Sequence, residues 1–530
     1  MSLLDAARRA LLDARHPSGH WVGELSSSAL STATATTALH LVRQNGGTAD
    51  AALVERGLAW LRAHANADGG FGDTVDSPSN LSTTTLCWAA LGLHADPAFA
   101  ACEAWLRKAV GTLDAPSIAH AISARYGEDK TFSVPILTMC ALAGRVPWKG
   151  ILRLPFELAA LPASLYRVLG LRVVSYALPA LIAIGQAQLK HQGSWNPLPH
   201  LARKRTLRIL ERIQPASGGF LEAAPLTSFV CMSLAGSGLV GSPVVRKAVD
   251  FLSSTVRPDG SWPIDTNLAT WVTTLAVNAL GDALPREARD PILLWLLGQQ
   301  HRSVHPYTGA APGGWAWTDL SGGVPDADDT PGALLALKKL DGPKEAARAG
   351  VKWLLDLQNA DGGIPTFCRG WGRLPFDRSC PDLTAHTLRA WHAWGDVPRK
   401  AVDRAFQYLR DTQRADGSWV PLWFGNQSHP AQENPVYGTS RVLLCEPLLP
   451  DPMWARGRAW LMGAQRPDGG WGSIEETALA VEATGDARGK AWLEANAGAW
   501  RPSPIGLYFA KLWYSEKLYP IIFTVAALSR

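Results

Sequence analysis

The stretch QRADGSW, residues 413–419, decides the fold of this chain because variants of it recur along the sequence. Each variant contains Gly or Ser and ends on an aromatic or apolar residue. The endings lie at Trp21, Phe71, Trp195, Phe220, Trp262, Ile364, Trp419 and Trp471. In the second half of the chain, where Trp315 joins the series, the endings recur about every 50 residues, which indicates a repeat architecture.

The repeating unit is predicted to be a helix, a glycine-rich turn and a second helix. Residues before the turns, such as AFQYLRDT at 405–412, place apolar side chains at i, i+3 and i+4. The glycines can adopt positive φ angles after a helix, and Gln and Trp can brace one helix end against the next. Such pairs close into two concentric rings. We therefore predict an all-α protein with two α/α barrels, one formed by residues 1–14 and 256–530 and the other by residues 15–255.

The composition bears on the partners and the cellular compartment of the protein. Hydrophobic residues make up 47% of the 530 residues and charged residues only 18%, whereas an ordinary soluble domain has about 25% charged residues. The net charge is +5 and the basic residues are scattered, so nucleic acid is not an expected partner. The seven cysteines form no CxxC pair, which predicts reduced thiols in a cytosolic compartment.

One long apolar stretch bears on membranes. The amino terminus lacks the apolar core of a signal peptide, and no apolar run is long enough to span a bilayer. Residues 151–186 come nearest, but Pro155, Pro162 and Pro179 interrupt them. This stretch is predicted to be either a buried helix pair or a patch that lies in one membrane leaflet.

Four carboxylates crowd into APGGWAWTDLSGGVPDADDTPGALL, residues 311–335: Asp319, Asp326, Asp328 and Asp329. Three of them precede a predicted helix with Pro331 in its first turn, although capping needs only one or two. Asp326 and Asp329, three residues apart, are expected to share a helix face. Because crowded carboxylates cannot all ionise easily, at least one is expected to stay protonated and to be available as a general acid.

Two further features suggest what this acid does. Trp317 lies in the same stretch, and aromatic faces stabilise cations, whereas Trp315 is predicted to brace a repeat turn. In SCPDLTAH, residues 379–386, Asp382 and His386 are at i, i+4, so the carboxylate could orient an imidazole that hydrogen-bonds the acid. The alternatives are a capped helix with a buried histidine, and a zinc site formed by Cys380, Asp382 and His386.

These motifs resemble those of a known family. The repeats are similar to the QW motifs of squalene-hopene and oxidosqualene cyclases, and PDADDT at 325–330 resembles the DxDD motif of class II terpene cyclases. The resemblance implies a monotopic enzyme on the cytoplasmic face of the membrane, with a large apolar cavity between two α/α barrels. It also implies that Asp328 protonates a terminal alkene, that Asp326 and Asp329 flank it, and that His386, steadied by Asp382, hydrogen-bonds to it. Neither a metal nor a cofactor is implied.

The same resemblance implies a set of substrate-facing side chains. It assigns cation or substrate contacts to Trp317, Trp271, Trp423, Tyr437, Phe509, Trp513 and Tyr514. Glu222 falls where the family lines the far end of its cavity, so it is either a terminating base or water-holder, or a plain helix cap. Thr32, Thr34 and Leu86 stand where the family carries acidic residues of its terminal water network, so hopene and hopanol are not expected as products.

The leading hypothesis is therefore protonation-initiated cyclisation of squalene or a similar polyene to a polycyclic triterpene. Within the same reaction class, a shorter prenyl diphosphate, as in copalyl diphosphate formation, or a meroterpenoid is the alternative substrate. An α/α-barrel glycosidase, a zinc prenyltransferase subunit and a binding repeat protein are the alternatives from other classes. The expected partners are an apolar isoprenoid and a membrane surface, and the sequence also permits a homodimer.

Overall fold

The structure is a computed structural model that describes residues 2–94, 96–126, 133–161, 175–306, 308–366, 377–507 and 511–530. These residues are mainly α-helical and form two compact units. Unit 1 comprises residues 1–24, 267–319 and 323–530, and unit 2 comprises residues 25–266 and 320–322. The predicted all-α fold is confirmed.

The unit boundaries lie at residues 24 and 266, whereas the sequence suggested residues 14 and 255. Residues 15–24 belong to unit 1 because Trp21 is anchored there. Its indole N–H donates to the Leu11 carbonyl at 2.6 Å, and its backbone N–H donates to Thr273 Oγ1 at 2.9 Å. Trp262 belongs to unit 2 for the same reason, since its backbone N–H donates to Thr32 Oγ1 at 3.1 Å.

Unit 1 is built from two rings of helices. The inner helices contact one another in a closed circle: α12 (Ala269–Leu280), α14 (Asp329–Lys339), α16 (Pro381–Trp394), α18 (Pro435–Leu443), α20 (Ile474–Thr484) and α22 (Tyr519–Leu528). The outer helices each pack on an inner one: α1 (Leu3–Asp13), α13 (Arg286–Gly298), α15 (Lys344–Leu357), α17 (Arg399–Thr412), α19 (Pro452–Gly463) and α21 (Ala487–Asn496). Inner helices bury nearly every side chain, whereas α17 buries only one stripe, as expected for an amphipathic outer helix.

Unit 2 repeats this plan. Its inner helices are α2 (Ala29–Gln44), α4 (Leu81–Gly92), α7 (Ser133–Leu142), α8 (Leu178–Gln192) and α10 (Ala224–Gly236). Its outer helices are α3 (Ala51–Ala63), α5 (Phe99–Val110), α6 (Ala115–Tyr126), α9 (Pro197–Ile213) and α11 (Pro243–Thr255). Each unit is thus an α/α barrel.

Hydrogen bonds to the repeat turns explain why Gln and Trp recur. In the turn at 413–419, Gln413 Nε2 donates to the Gly417 carbonyl at 2.9 Å and to the Met453 carbonyl of the next outer helix at 2.9 Å. The indole N–H of Trp419 donates to the Leu409 carbonyl at 2.8 Å. The equivalent turns repeat these bonds, so the prediction that Trp315 is a brace is confirmed: it donates to the Leu296 carbonyl at 2.8 Å.

The turns also need glycine for a steric reason. At Gly362, φ is +92°, and an added Cβ would lie 2.3 Å from the Arg404 carbonyl oxygen of the next outer helix. Gly417 is similar, with φ of +97° and the Arg456 oxygen at 2.6 Å. Only a residue without a side chain lets the turn approach the neighbouring helix this closely.

Short strands join some of the turns. They are β1 (Ser27–Ser28), β2 (Trp262–Pro263), β3 (Ile364–Pro365), β4 (Ser379–Cys380), β5 (Phe424–Gly425), β6 (Ile505–Leu507) and β7 (Leu512–Tyr514). β1 pairs with β2, β3 pairs with β4, and β5, β6 and β7 form an antiparallel sheet in that order.

The apolar stretch at 151–186 is only partly described, because residues 162–174 lie outside the described residues. Residues 178–186 form part of the inner helix α8, and most of their side chains are buried. Among the described residues, none of the helices combines the length and apolarity that crossing a bilayer requires.

Candidate active site

The DADD segment lies at the start of α14, and its acids have different structural roles. Asp326 precedes the helix, and its Oδ1 accepts the backbone N–H groups of Asp328 at 2.9 Å and Asp329 at 2.8 Å. Asp326 therefore provides the side-chain acceptor for the first backbone amides at the start of α14, although the N-cap residue itself is Asp328. The expectation that Asp326 and Asp329 share a helix face is wrong, because the helix begins only at Asp329.

Asp328 is the acid that meets the predicted histidine. Asp328 Oδ1 lies 2.9 Å from His386 Nδ1, which projects from the middle of α16. The Asp328 side chain is 17% exposed and that of His386 is 4% exposed. The two residues are 58 positions apart in sequence, and the contact between the neighbouring inner helices α14 and α16 brings them together.

Burial favours the uncharged form of both Asp328 and His386. Burial raises the pKa of Asp328 to about 7, although the Arg441 guanidinium opposes the rise. Burial, followed by the charges of Arg441 and Arg389, lowers the pKa of His386 well below its ordinary value. A neutral imidazole with its proton on Nδ1 donates to Asp328 Oδ1 and leaves the other carboxyl oxygen free to hold a proton.

Asp326 and Asp329 also hold protons more tightly than ordinary carboxyl groups. Burial raises the pKa of both, and their carboxyl groups hydrogen-bond each other. For Asp329 the neighbouring Asp326 adds to the effect of burial. Because two neighbouring buried carboxyl groups cannot both ionise easily, the pair keeps at least one proton to a higher pH than free carboxyl groups do.

Asp382 does not contact His386 in the predicted way. Its Oδ1 lies 2.6 Å from Cys380 Sγ, and within the part of the chain that the structure describes it makes no hydrogen bond to His386. The reason is that helical side chains tilt toward the amino terminus, which directs this first-turn carboxyl toward the residue before the helix. Burial, followed by the charge of Asp328, raises the pKa of Asp382 to about 6.

The zinc alternative also depended on these residues. Cys380, Asp382 and His386 do not converge, since the thiol pairs with Asp382 and the imidazole with Asp328. Across the described ranges, no group of three or more His, Cys, Asp or Glu side chains is placed to hold a metal ion.

Aromatic rings surround the His386 side of the site. The Trp271 ring on α12 lies 6.3 Å from the His386 ring, edge to face, and 6.4 Å from the Phe424 ring. Phe424 in turn stacks on Tyr437, with centroids 4.4 Å apart. The Trp271 indole N–H donates to the Tyr519 hydroxyl at 2.9 Å, which fixes the ring that faces His386.

The other predicted aromatic residues differ in whether their side chains contact the aromatic group around Trp271. The Tyr514 hydroxyl lies 3.3 Å from that of Tyr519, and Trp423 hydrogen-bonds it. Trp317 meets the start of α12 through its backbone, because its carbonyl accepts the N–H groups of Thr270 and Trp271 at 3.0 and 3.1 Å. Trp513 is buried on the opposite face of β7 from Tyr514. Phe509 lies outside the described residues.

Glu222 belongs to unit 2 and is buried at a strained position. Its φ is 54°, a left-handed conformation that is uncommon for glutamate. Oε1 accepts from Ser217 Oγ at 2.6 Å and from the Gly322 N–H at 2.7 Å, and its backbone carbonyl accepts from the Thr266 N–H at 3.0 Å. These bonds hold three loops of unit 2 together, and Glu222 lies in a 3₁₀ turn rather than at the position of an α-helix cap.

Sequence reasoning missed Tyr519, Phe424 and Arg441. Phe424 and Tyr519 follow predicted site residues closely in sequence, but only the packing shows that they contact Trp271. Arg441 was detectable from its spacing, since it lies four residues after Tyr437 on the same helix face.

The arrangement can deliver a proton to a weakly basic apolar group. Its carboxyl group, Asp328, has a pKa raised to about 7 by burial. The imidazole N–H of His386 can stabilise the carboxylate that remains after proton transfer, and the aromatic faces can stabilise positive charge nearby. A solvent-exposed acid lacks this combination, because water screens its electrostatic interactions, whereas a buried site strengthens them.

Comparison with known proteins gives matches over most of the chain. Residues 268–501 match the squalene-hopene cyclase C-terminal domain, and residues 4–177 match the squalene-hopene cyclase N-terminal domain. The squalene hopane cyclase afumA of Aspergillus fumigatus is 25% identical over 86% of this chain and 75% of its own length. Enfumafungin synthase efuA of Hormonema carpetanum is 25% identical over 89% of this chain, which spans only 42% of that protein.

Two further similarities concern a diphosphate synthase and the fold. The drimenyl diphosphate synthase of Streptantibioticus cattleyicolor is 30% identical over 43% of this chain and 43% of its own length. The structure of ent-copalyl diphosphate synthase from Streptomyces platensis aligns with 99% of this chain and 98% of its own, with a TM-score of 0.55 and 18% identity. At that identity the structural similarity speaks for the fold alone.

Proposed function

Because the chain belongs to the squalene-hopene cyclase family of class II terpene cyclases, we propose that it cyclises a linear isoprenoid polyene, with squalene as the leading substrate, and that Asp328 starts the reaction. The observation that carries the proposal is the 2.9 Å contact between Asp328 Oδ1 and His386 Nδ1 in a buried site. This contact leaves the second carboxyl oxygen of Asp328 to carry the proton that is transferred.

The first step moves that proton to the less substituted carbon, =CH–, of the terminal alkene. The π electrons form the new C–H bond, the adjacent carbon becomes a tertiary cation, and the next alkene attacks it to close a ring. The cascade ends when a proton is lost or when water adds. His386 and Arg441 favour the step because both stabilise the carboxylate of Asp328 as it forms.

The aromatic group around Trp271 is proposed to stabilise the cations. A cation over an aromatic face gains about 0.5 to 2 kcal/mol, the larger value in a dry site. Trp271 lies beside His386, the Phe424 ring lies beside Trp271, and Tyr437 stacks on Phe424, so more than one ring is available close to the acid. For the other predicted contacts, Trp317, Trp423, Trp513, Tyr514, Phe509 and Glu222, a role at the substrate stays a proposal.

A prenyl diphosphate is the second candidate substrate. The similarity to a drimenyl diphosphate synthase favours it, because the name of that relative describes a product that retains a diphosphate. The same acid chemistry would apply, since protonation at the far alkene leaves the diphosphate intact. The difference between the candidates lies at the polar end of the substrate, where a diphosphate needs basic side chains.

The proposal includes a membrane surface as the source of an apolar substrate. An apolar edge of unit 2 (Leu152, Trp195, Leu198 and Leu201) is exposed, with Trp195 fully exposed. Leu198 and Leu201 share a face of α9, and the same helix carries several basic residues: Arg203, Lys204, Arg205, Arg208 and Arg212. Exposed aromatic and aliphatic side chains beside basic ones are typical of a surface that binds anionic lipid.

Product analysis with two substrates tests the proposal. Purified enzyme is incubated with squalene or with geranylgeranyl diphosphate, and the extracted products are identified by mass spectrometry. We expect polycyclic product from squalene, none from the Asp328→Asn variant, and wild-type turnover from the matched control Asp319→Asn. Turnover retained by Asp328→Asn would refute the assignment of the acid, and product from the diphosphate alone would favour the second candidate.

A further inference from the structure

One repeat turn of unit 2 differs from all the others. It is HQGSW, residues 191–195, which ends on Trp195. At the other eight turn endings this residue is at most 3% exposed, as at Trp262 and Trp419, whereas Trp195 is fully exposed. The Trp195 indole N–H donates to no described acceptor, so this ring does not brace a helix end as the Trp419 ring does. A role other than bracing is therefore expected for this turn.

A pocket of about 480 Å³ lies beside the turn. Five residues line it: Arg153, Gln192, Gly193, Ser194 and Trp195. Arg153 Nη1 donates to the Gly193 carbonyl at 3.0 Å. Gln192 Nε2 donates to the carbonyls of Trp148 and Ile151, at 2.8 and 3.1 Å. These bonds join the loop around Arg153 to the turn, so the walls of the pocket are held in place.

The pocket is rich in hydrogen-bond donors and has no acidic residue in its lining. Arg153 makes a single hydrogen bond within the described part of the chain, and its Nη2 has no acceptor there. It also forms no ion pair with a described carboxylate. The backbone N–H groups of Ser194 and Trp195 donate to no described acceptor either. A guanidinium and backbone N–H groups around one pocket favour an anionic ligand with several acceptor oxygens.

The surroundings of the pocket favour a lipid as the source of that anion. Leu152 precedes Arg153, and Leu198 and Leu201 follow Trp195, and all three leucines are exposed. An exposed tryptophan among exposed leucines is typical of a surface whose indole rings lie at the depth of the lipid headgroups. A soluble anion gains nothing from this apolar rim, whereas a phospholipid can place its phosphate in the pocket and its acyl chains against the rim.

We propose that this pocket binds the phosphate group of a membrane phospholipid, with the Arg153 guanidinium as the main contact and Trp195 at the level of the headgroups. The inference rests on the membrane surface proposed above and adds a discrete headgroup site to it. The basic side chains along α9 attract an anionic bilayer without selecting a position. A headgroup in the pocket fixes which part of unit 2 faces the bilayer.

Vesicle binding at two salt concentrations tests the site. Sedimentation with vesicles that contain phosphatidylglycerol is measured for the full-length wild type, Arg153→Met and the matched control Arg208→Met, which removes an exposed arginine of α9. At low ionic strength both variants should bind more weakly, because each loses a positive charge near the bilayer. At about 1 M salt, where the Debye length is about 3 Å, the control should bind like the wild type. Arg153→Met should remain roughly tenfold weaker, because a hydrogen-bonded contact in a pocket is screened less.

Each outcome of this experiment decides the proposal. Wild-type affinity of Arg153→Met at high salt would overturn the headgroup site, and so would an equal loss in the control. If the wild type itself did not bind vesicles, the membrane surface would be refuted and the site with it, so the two failures are distinguishable. If Arg153→Met does not fold, Arg153→Lys replaces it, because lysine keeps the charge but loses the planar fork that matches a phosphate, and it should also bind more weakly at high salt.

Crystals of the wild-type protein provide a test that needs no variant. They are soaked either in short-chain phosphatidylglycerol or in inorganic phosphate at the same concentration. We expect the lipid phosphate within hydrogen-bonding range of the Arg153 guanidinium, with the acyl chains directed toward Leu152 and Leu198. Absence of lipid density at Arg153, or density for inorganic phosphate but not for the lipid, would overturn the proposal.

Discussion

Replacing Asp328 with Asn is expected to stabilise the protein at alkaline pH while it removes activity. Burial raises the pKa of Asp328 from an ordinary value of 3.8 to about 7. The folded state therefore keeps this proton to a higher pH than the unfolded state does. Wild-type stability is highest below the unfolded pKa, falls as pH rises toward the folded pKa, and levels off above it. Asn mimics the protonated carboxyl and avoids this loss.

The magnitude follows from the pKa. Between pH 5 and pH 8.5 the wild type loses roughly 2 to 3 kcal/mol through this one group, because each pKa unit corresponds to about 1.4 kcal/mol. The Asn carbonyl can still accept from His386 Nδ1, so the contact seen at 2.9 Å can be kept. The stability advantage of Asp328→Asn is thus expected to grow by that amount across this pH range.

Chemical unfolding followed by tryptophan fluorescence measures the advantage. The first transition is compared at pH 5 and pH 8.5 for the wild type, Asp328→Asn and the control Asp319→Asn, whose side chain is 25% exposed. We expect the control to follow the wild type at both pH values. An advantage of Asp328→Asn that is the same at both pH values would refute the reasoning, and so would a loss of stability at pH 8.5.

Three further predictions follow from the same site and fold. The value of kcat/KM should fall as pH rises through about 7, because Asp328 must be protonated to act; a profile that stays flat from pH 6 to 8.5 would contradict this. Trp271→Phe should keep most of the wild-type turnover, whereas Trp271→Ala should reduce turnover by roughly 2- to 30-fold, which corresponds to the loss of one cation–π contact. If a steady-state assay gave the same turnover for Trp271→Ala as for the wild type, Trp271 would have no role in the mechanism. Gly362→Ala should lower the free energy of unfolding by about 1 to 3 kcal/mol through backbone strain. Gly463→Ala should not, because a Cβ added at Gly463 has no neighbouring atom within 4 Å. Similar melting temperatures for the two variants would be evidence against the role of the turn.

The apolar edge provides a separate prediction. Trp195→Ser with Leu201→Ser should reduce sedimentation of the protein with vesicles that contain phosphatidylglycerol, because it removes exposed side chains that can enter the lipid interface. Leu294→Ser is the matched control, since Leu294 is 70% exposed on unit 1. Equal sedimentation of both variants would rule out this edge as the lipid-binding surface.

Sequence patterns predicted the parts of the structure that depend on local chemistry. Repeat turns are readable because Gln, Gly and Trp each perform a local task in every turn, as the bonds of Gln413 and Trp419 show. The position of Asp328 at a helix start was readable for the same reason. The pattern SCPDLTAH suggested an imidazole that hydrogen-bonds the acid and the family resemblance implied His386, but no local pattern could establish the contact, because the two residues come from different helices of the ring.

The errors came from side-chain direction and from packing. Spacing of i, i+4 placed Asp382 and His386 on one helix face, but the first-turn carboxyl reaches back to Cys380. Spacing also treated Asp326 as helical, although its side chain accepts the first amides of α14 from outside the helix. Tyr519 holds the Trp271 ring through a hydrogen bond between α12 and α22, and no local pattern encodes a contact between residues 248 positions apart.

The direct test of the account is to run the reaction in deuterium oxide and to locate deuterium in the product. If Asp328 starts the cascade by protonating the terminal alkene, the enzyme places a single solvent deuterium on the ring methylene carbon next to the gem-dimethyl carbon of the cyclic product, and Asp328→Asn yields no such product. A cyclic product without that deuterium, or one formed with release of diphosphate, would contradict the account.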